Sequence, residues 1–500
     1  MIKREHFILF LILIFALGLR IYGLDEHGIW YDEKVSISHA LGATHVEDSL
    51  VRGGIRKGEL KIFQKNRHDI SKKLEGIAID SGGNAIFYDL ALFIWIELFG
   101  ISDFSIRMLS VLISLLSIWL LYELTVHLTK NQNVALISSF LLSISHLSIE
   151  YSHEARSYSL GAFLVLLSTF LFYKIFFSER KKPPFFFLVC YTVVNILCFF
   201  THFFTAIALF GQGVYFLARK PKWRTVIQLS FTHLVFFAAI ISFYLLLGQE
   251  SSESLKGANT GWAEYAKDPS YRIDASPKNI FFEYFQVSTH LFGVGLHYLG
   301  IRLRYYVYLL VLPLLFILSA WKQANEDKNY DPILLPGIIF LSHLFIMTIN
   351  SVISSHTIAF VPKYASLISP IVLIPISVGI YHFYLRHKMK WASLILLQFV
   401  LFFIPTYVVY TDKNLKVGSG CIRKPNPYIE AMEKINMLQN EHPKTPLVIY
   451  TSEMIDIKTL AFYSPNEKTR FELVPDLYRE VLVKQNNQEI ERISLQACNF

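Results

Sequence analysis

The sequence predicts an all-α membrane protein of about eleven transmembrane helices with outer juxtamembrane helices, followed by a small C-terminal α/β domain on the outer face. Three observations predict it. The first is composition: of 500 residues, 53% are hydrophobic and 15% aromatic, with a mean hydropathy of +0.40. So much apolar surface needs either a very large core or a lipid solvent. The second is that apolar residues come in runs. Residues 7–24, 303–321 and 392–410 are each long enough to cross a hydrocarbon layer roughly 30 Å thick. The third is that basic residues gather in short segments between those runs, as they do in cytoplasmic loops. This placement accounts for the net charge of +8 without nucleic acid, which we set aside as a partner.

The elements follow in order. Lys3 and Arg4 precede a first span, 7–24, which has no cleavage-site pattern after it and reads as a retained helix rather than a signal peptide. Arg180, Lys181 and Lys182 form a second basic segment. Arg219, Lys220, Lys222 and Arg224 form a third, and Arg386, His387, Lys388 and Lys390 a fourth. The positive-inside rule puts all four in the cytoplasm. Between the first two lie five apolar runs, 7–24, 85–99, 104–128, 133–149 and 157–177, yet two cytoplasmic ends require an even number of crossings. The run 85–99 is the shortest and carries Asp89 and Glu97, so it is expected to lie on the outer surface as an interfacial helix. Outer loops then cover 25–103, 150–156 and 248–302, the last with an amphipathic segment at 277–292. Later spans fall at 185–200, 203–218, 226–247, 303–321, 333–349, 366–385 and 392–410. The chain thus begins in the cytoplasm and ends outside.

Residues 1–410 form the transmembrane domain and 411–500 the outer domain. In the latter, Asn426-Pro427 opens a helical pattern with Ile429, Met432, Ile435 and Leu438 at spacings of three. Leu447 to Tyr450 read as a buried strand, with a second helix over 453–463. Cys190 and Cys198 fall within a span as packing residues. Cys421 and Cys498 fall outside, where a disulfide between them is expected.

Four polar clusters sit at the outer ends of spans. Trp30-Tyr31-Asp32-Glu33 places two carboxylates beside aromatics at a membrane surface. These are either working groups or the acidic first turn of a helix. Glu150-Tyr151-Ser152-His153-Glu154-Ala155-Arg156 carries the donor types for a divalent metal, and in Arg156 a fork for phosphate. It equally fits an interfacial belt. Thr201-His202 tips a hairpin, and its imidazole is either structural or supporting. Pro362-Lys363-Tyr364 carries a lysine that either snorkels or binds an anion.

These strings resemble the dolichyl-phosphate-mannose:protein mannosyltransferase-like superfamily, a GT-C class of membrane glycosyltransferases that includes the bacterial aminoarabinose-transferase relatives. "LRIYGLDEHGIWYDEKVSISHAL" is similar to the family's first outer loop. "NAIFYDLALFIWIELFGISDFSIRMLSVL" is similar to its juxtamembrane helix and second span. "IEYSHEARSYSLGAFL" is similar to its second outer loop, and "FFTHFFTAIALF" to a later hairpin. The resemblance implies transfer of a sugar from a polyprenyl-phosphate donor to an extracytoplasmic acceptor (lipid, glycan or protein) by a multi-pass protein of the cell's inner membrane. It puts the loop acid at Asp32 with Glu33 beside it, and the second-loop pair at Glu154 and Arg156. A basic-Tyr pair falls at Lys363-Tyr364, where relatives more often have Arg. Relatives usually carry His-Pro-Pro where this chain has Asn84-Ala85-Ile86.

The implied chemistry suits these side chains. A sugar on a lipid phosphate already has a good leaving group, so the protein must supply a base for the acceptor hydroxyl and cations for the departing phosphate. Asp32 is the expected base with Glu33 second. Arg156, Lys363 and Tyr364 are the expected phosphate contacts, and Arg156 is expected to face the same cavity as Asp32. Glu154, His153 and His202 are supporting, with no metal ligand assigned and a divalent metal left open. The rival is a lipid or solute transporter, which calls for polar groups at the bilayer midplane and broken helices in related halves. Here charge collects on the outer face and no halves are related.

Overall fold

The computed structural model describes residues 4–25, 29, 31–42, 55–56, 68–177, 185–267, 273–292, 306–387, 394–400, 403, 416–417, 420–421, 427–441, 447–451, 470–473, 480–485 and 488–494. The chain divides into two compact units. One comprises Met1–Tyr22 and Arg107–Val408, the other Gly23–Ile106 and Val409–Phe500.

The first unit is helical and built for lipid; the chain is a multi-pass membrane protein. Among the described residues, Asp103–Thr129, Tyr158–Phe176, Trp223–Leu246 and Asp331–Ser354 are long and apolar enough to cross a bilayer. Gln132–Ile144 and His146–Ser152 make a further span, bent by 55° at Ser145. Helices Arg4–Ile21, Phe185–Thr201, Ala206–Ala218, Tyr306–Asp327 and Ser369–His387 fall where further spans are expected. Residues 394–400 are helical too, within the expected last span. On Trp223–Leu246 the exposed Phe231, Leu234, Phe237 and Ile241 recur at helical spacing and form one apolar stripe, as a lipid-facing side requires. This helix runs on to Tyr265, past the loop start expected at 248. The stretch after 247 contains no proline, and its Gln, Glu, Lys and Ala residues are good helix formers.

Close packing and internal hydrogen bonds hold the bundle together, because lipid supplies no hydrophobic drive between helices. A Cβ at Gly379 would overlap the Phe316 carbonyl, so helices Tyr306–Asp327 and Ser369–His387 meet backbone to backbone. In the interior, Tyr191 Oη donates to Gln212 Oε1 at 2.9 Å, and Gln212 Nε2 donates to Thr169 Oγ1 at 3.1 Å. Ser168 Oγ donates to Asn195 Oδ1 at 2.7 Å. These neutral side chains satisfy one another across three helices. At the opposite end of the same helices from the polar loops, Tyr173 and Tyr215 donate to the buried Asp331 carboxylate at 2.9 and 2.7 Å.

The second unit contains helices Tyr31–Leu41, Ile70–Ser81, Ile86–Phe99 and Pro427–Glu441. Its mixed sheet has the order β1 (Ile55–Arg56), β5 (Arg470–Leu473), β4 (Val448–Thr451), β6 (Glu480–Gln485), β7 (Gln488–Ser494). β4 pairs in parallel with β5 and antiparallel with β6. β2 (Lys416–Val417) pairs separately with β3 (Gly420–Cys421). Met432 and Ile435 are buried, as their spacing of three requires, and so are Leu447 and Ile449. Ile55 pairs with Phe471. Part of the segment 25–103, which the sequence groups with the membrane domain, therefore completes the sheet of the C-terminal segment. Helix Ile86–Phe99 has 14 residues, a rise of about 21 Å that falls short of a roughly 30 Å hydrocarbon layer. Ala85, before it, has φ 70°, a value closed to proline. The corner is thus built differently from one made with His-Pro-Pro. The expected helix 453–463 and the expected Cys421–Cys498 bridge lie outside the described residues, while Cys190 and Cys198 are free thiols.

Candidate active site

In the membrane unit three separate segments converge on Tyr158. The bent span ends at Ser152, and His153 N–H donates to the carbonyls of Ile149 and Glu150, closing that helix. A tight turn follows in which Arg156 N–H donates to the Glu154 carbonyl at 2.8 Å. Helix Tyr158–Phe176 then begins. Glu154 and Arg156 are half-buried, and His153 is buried. The Tyr158 ring lies 5.2 Å from Tyr151 and 5.6 Å from His202. Lys363 Nζ lies 5.9 Å from the same ring and 5.4 Å from that of Tyr364. His202 sits between Tyr158 and Tyr364, 5.3 Å from the latter. Its Nδ1 accepts the Phe204 N–H at 3.3 Å, which assigns its proton in the neutral form to Nε2. Gly161 permits this approach, since a Cβ there would meet Leu367 at 2.6 Å. The structure thus brings His202, Lys363 and Tyr364 around the first turn of the helix that follows Arg156. A cationic lysine over packed aromatics, with an arginine in the turn just before a helix N-terminus, forms an arrangement suited to an anion.

In the second unit, Asp32 and Glu33 occupy the first turn of Tyr31–Leu41, where a carboxylate also complements the helix dipole. Glu33 is fully buried and Asp32 half-buried. Trp30 lies outside the described residues. Among the described residues, no group of three or more His, Cys, Asp or Glu side chains is placed to hold a metal ion.

Sequence reasoning missed four further polar features. Arg20, fully buried at the end of the first span, donates to Ser114 Oγ at 2.9 Å, Ser148 Oγ at 2.8 Å, and the carbonyls of Ala16, Leu142 and Ser143. Its signal was an arginine inside an otherwise apolar run. Glu283 on helix Pro277–Leu291 accepts from Thr357 Oγ1 at 3.3 Å, and burial pushes its carboxyl up to about 7. Thr357 N–H donates to Ile273 at 2.7 Å, which ties this helix to the segment leading into Lys363. His146 and His290, both buried, meet at 3.1 Å. His39 and Asp89 form a buried pair in the second unit.

The first unit is thus a helical membrane unit with polar loops gathered at one set of helix ends, and the second is a small mixed α/β unit. A family model described as dolichyl-phosphate-mannose-protein mannosyltransferase matches residues 84–247. The fold is similar to the crystal structure of ArnT from Cupriavidus metallidurans bound to undecaprenyl phosphate. The TM-score is 0.55 at 14% identity, over 91% of this chain and 84% of that one. The apo structure of the same protein gives 0.54 at 14% identity, over 91% and 83%. A looser likeness, TM-score 0.48 at 13% identity over 88% of this chain and 58% of the other, is to the oligosaccharyltransferase AglB from Archaeoglobus fulgidus in complex with an inhibitory peptide and a dolichol-phosphate. No curated protein matches the sequence. Residues 84–247 are thus similar to that mannosyltransferase family, and the fold is similar to that of ArnT.

Proposed function

We propose that the protein transfers a sugar from a polyprenyl-phosphate carrier to an acceptor hydroxyl on the outer side of the inner membrane. The observation that carries this reading is the convergence of the Arg156 turn, His202 and Lys363-Tyr364 around Tyr158. Lipid phosphates sit at the depth where spans end, and a guanidinium with an ammonium there matches a phosphate better than it matches a neutral solute. Arg156 and Lys363 neutralise the charge that develops on the departing phosphate, with Tyr364 alongside. Glu154, His153 and His202 hold the turn and the ring cluster in place. Asp32 takes the proton of the acceptor hydroxyl and Glu33 supports it. Undecaprenyl phosphate in the ArnT structure and the family model over the second to seventh expected spans support the same class of donor. A transporter reading draws on the bend at Ser145 and the Gln212 network. In that network, however, each polar group is engaged by a neighbouring helix, which is the pattern of structural glue.

The test is to incubate the purified protein with radiolabelled polyprenyl-phosphate sugars and an outer-envelope extract, and to follow free lipid phosphate. Release is expected from the wild type. Asp32→Asn, nearly isosteric and still able to start a helix, is expected to fold normally and to lose about 100-fold or more in turnover. A folded Asp32→Asn protein with normal transfer moves the base to Glu33 or Glu154. No release from any such donor overturns the proposal.

A further inference from the structure

The second unit holds a charge cluster, buried except for Asp80, that the proposed chemistry does not use. His39 lies in the last turn of Tyr31–Leu41 and is 1% exposed. Its Nδ1 is 2.6 Å from Oδ2 of Asp89, itself 1% exposed, on helix Ile86–Phe99. Its Nε2 is 3.4 Å from Oδ2 of Asp80, at the end of helix Ile70–Ser81. That second approach is an ion pair without hydrogen-bond alignment, and the bond to Asp89 is the tight one. The other Asp89 oxygen has no hydrogen-bond partner among the described residues. A carboxylate so fully withdrawn from water is stable only beside a compensating charge, and His39 is the group in contact with it. At the same helix end Lys73 is also buried, donating to the Ala40 carbonyl and lying 3.7 Å over the Phe93 ring.

We propose that His39 is a positioning residue: as an imidazolium between Asp89 and Asp80 it clamps helix Tyr31–Leu41, and with it the Asp32-Glu33 pair of the first turn, to the helices on either side. The geometry supplies the reason. The helix is 11 residues long, so its two ends are within about 15 Å of each other, and a tilt at His39 moves the first turn. Charge agrees with geometry. Burial alone would push His39 down, but the close contacts with Asp80 and Asp89 and the attraction of their charges outweigh it and hold the imidazole above its ordinary range. The other charged side chains described on these helices are Lys73 and Glu75, Glu97, and the helix's own Asp32, Glu33 and Lys34. Because the folded value lies above the unfolded one, the clamp is complete below the ordinary imidazole range and is lost as pH rises through the raised value. The clamp stands by itself; its consequence for turnover rests on Asp32 being the base.

Hydrogen–deuterium exchange of the full chain in detergent, from about pH 6 to 9 and corrected for intrinsic rates, tests it. Peptides covering 31–41 are expected to exchange about tenfold faster at the alkaline end, with Pro427–Glu441 as an unmoved internal control. His39→Gln and Asp89→Asn are expected to exchange fast and without the pH step. His39→Lys, which keeps a positive charge, is expected to regain part of the protection. A wild type whose 31–41 exchange ignores pH overturns the clamp, as does His39→Gln with wild-type protection. If His39→Gln does not fold, the wild-type titration alone decides. Sugar transfer measured in parallel is expected to fall with the same midpoint as protection. If protection falls and transfer does not, the clamp holds and the link to Asp32 is overturned.

Discussion

At the scale of single residues, charge near lipid is the informative feature, because it is costly unless paired or used. Arg156 illustrates the consequence. Its planar fork can hold two phosphate oxygens at once, which an ammonium cannot. Arg156→Lys is expected to leave folding intact and to lower donor turnover about 10- to 100-fold, the scale of one or two charge-assisted hydrogen bonds. Steady-state release of lipid phosphate checks this, and normal donor use by the variant refutes the phosphate contact of Arg156. Residue type and position relative to the spans made Asp32, Glu33, Glu154, Arg156 and Lys363 legible as candidates. His39 and Asp89 were not legible as a pair. They stand 50 positions apart, and nothing local to either announces the other. Glu283 was equally hidden: its carboxyl is pushed up to about 7 by burial on one face of an amphipathic helix, a property of packing rather than of composition.

At the scale of elements, hydrophobic runs predicted the helices closely but not the bend. The run 133–149 appeared continuous, yet Ser145 is extended, with φ −66° and ψ 122°, and splits it. No proline or glycine marks the site. The cause is Arg20, which engages the carbonyls of Leu142 and Ser143 just where the first half loses its own partners. That break aims helix His146–Ser152 into the turn that carries Glu154 and Arg156. Arg20→Met is expected to cost about 3 kcal/mol, taking about 0.6 kcal/mol for each membrane-buried hydrogen bond, and to lower the thermal midpoint in detergent by several degrees. Arg20→Lys, which keeps the charge but loses the fork, is expected to recover only part of it. A midpoint unchanged by Arg20→Met removes the arginine from this role.

At the scale of the whole molecule, the basic segments set an expectation for topology. With four of them in the cytoplasm, reporter fusions after Leu128 and after Glu179 are both expected to read as cytoplasmic, and a fusion at the C-terminus as external. An external signal at either internal site breaks the parity argument and makes 85–99 a span. Hydropathy and periodicity determined the membrane class, the place of most helices, and the short strand and helix of the C-terminal segment. Each of these is a response of one stretch of chain to its own solvent, water or lipid, and so is written locally. The tertiary structure alone decided that Ile55–Arg56 joins the C-terminal sheet, that the span breaks at Ser145, and that His202, Lys363 and Tyr364 meet at Tyr158. These depend on backbone and side-chain groups far apart in sequence finding one another. The free energy of such a match belongs to the pair of segments and to neither alone.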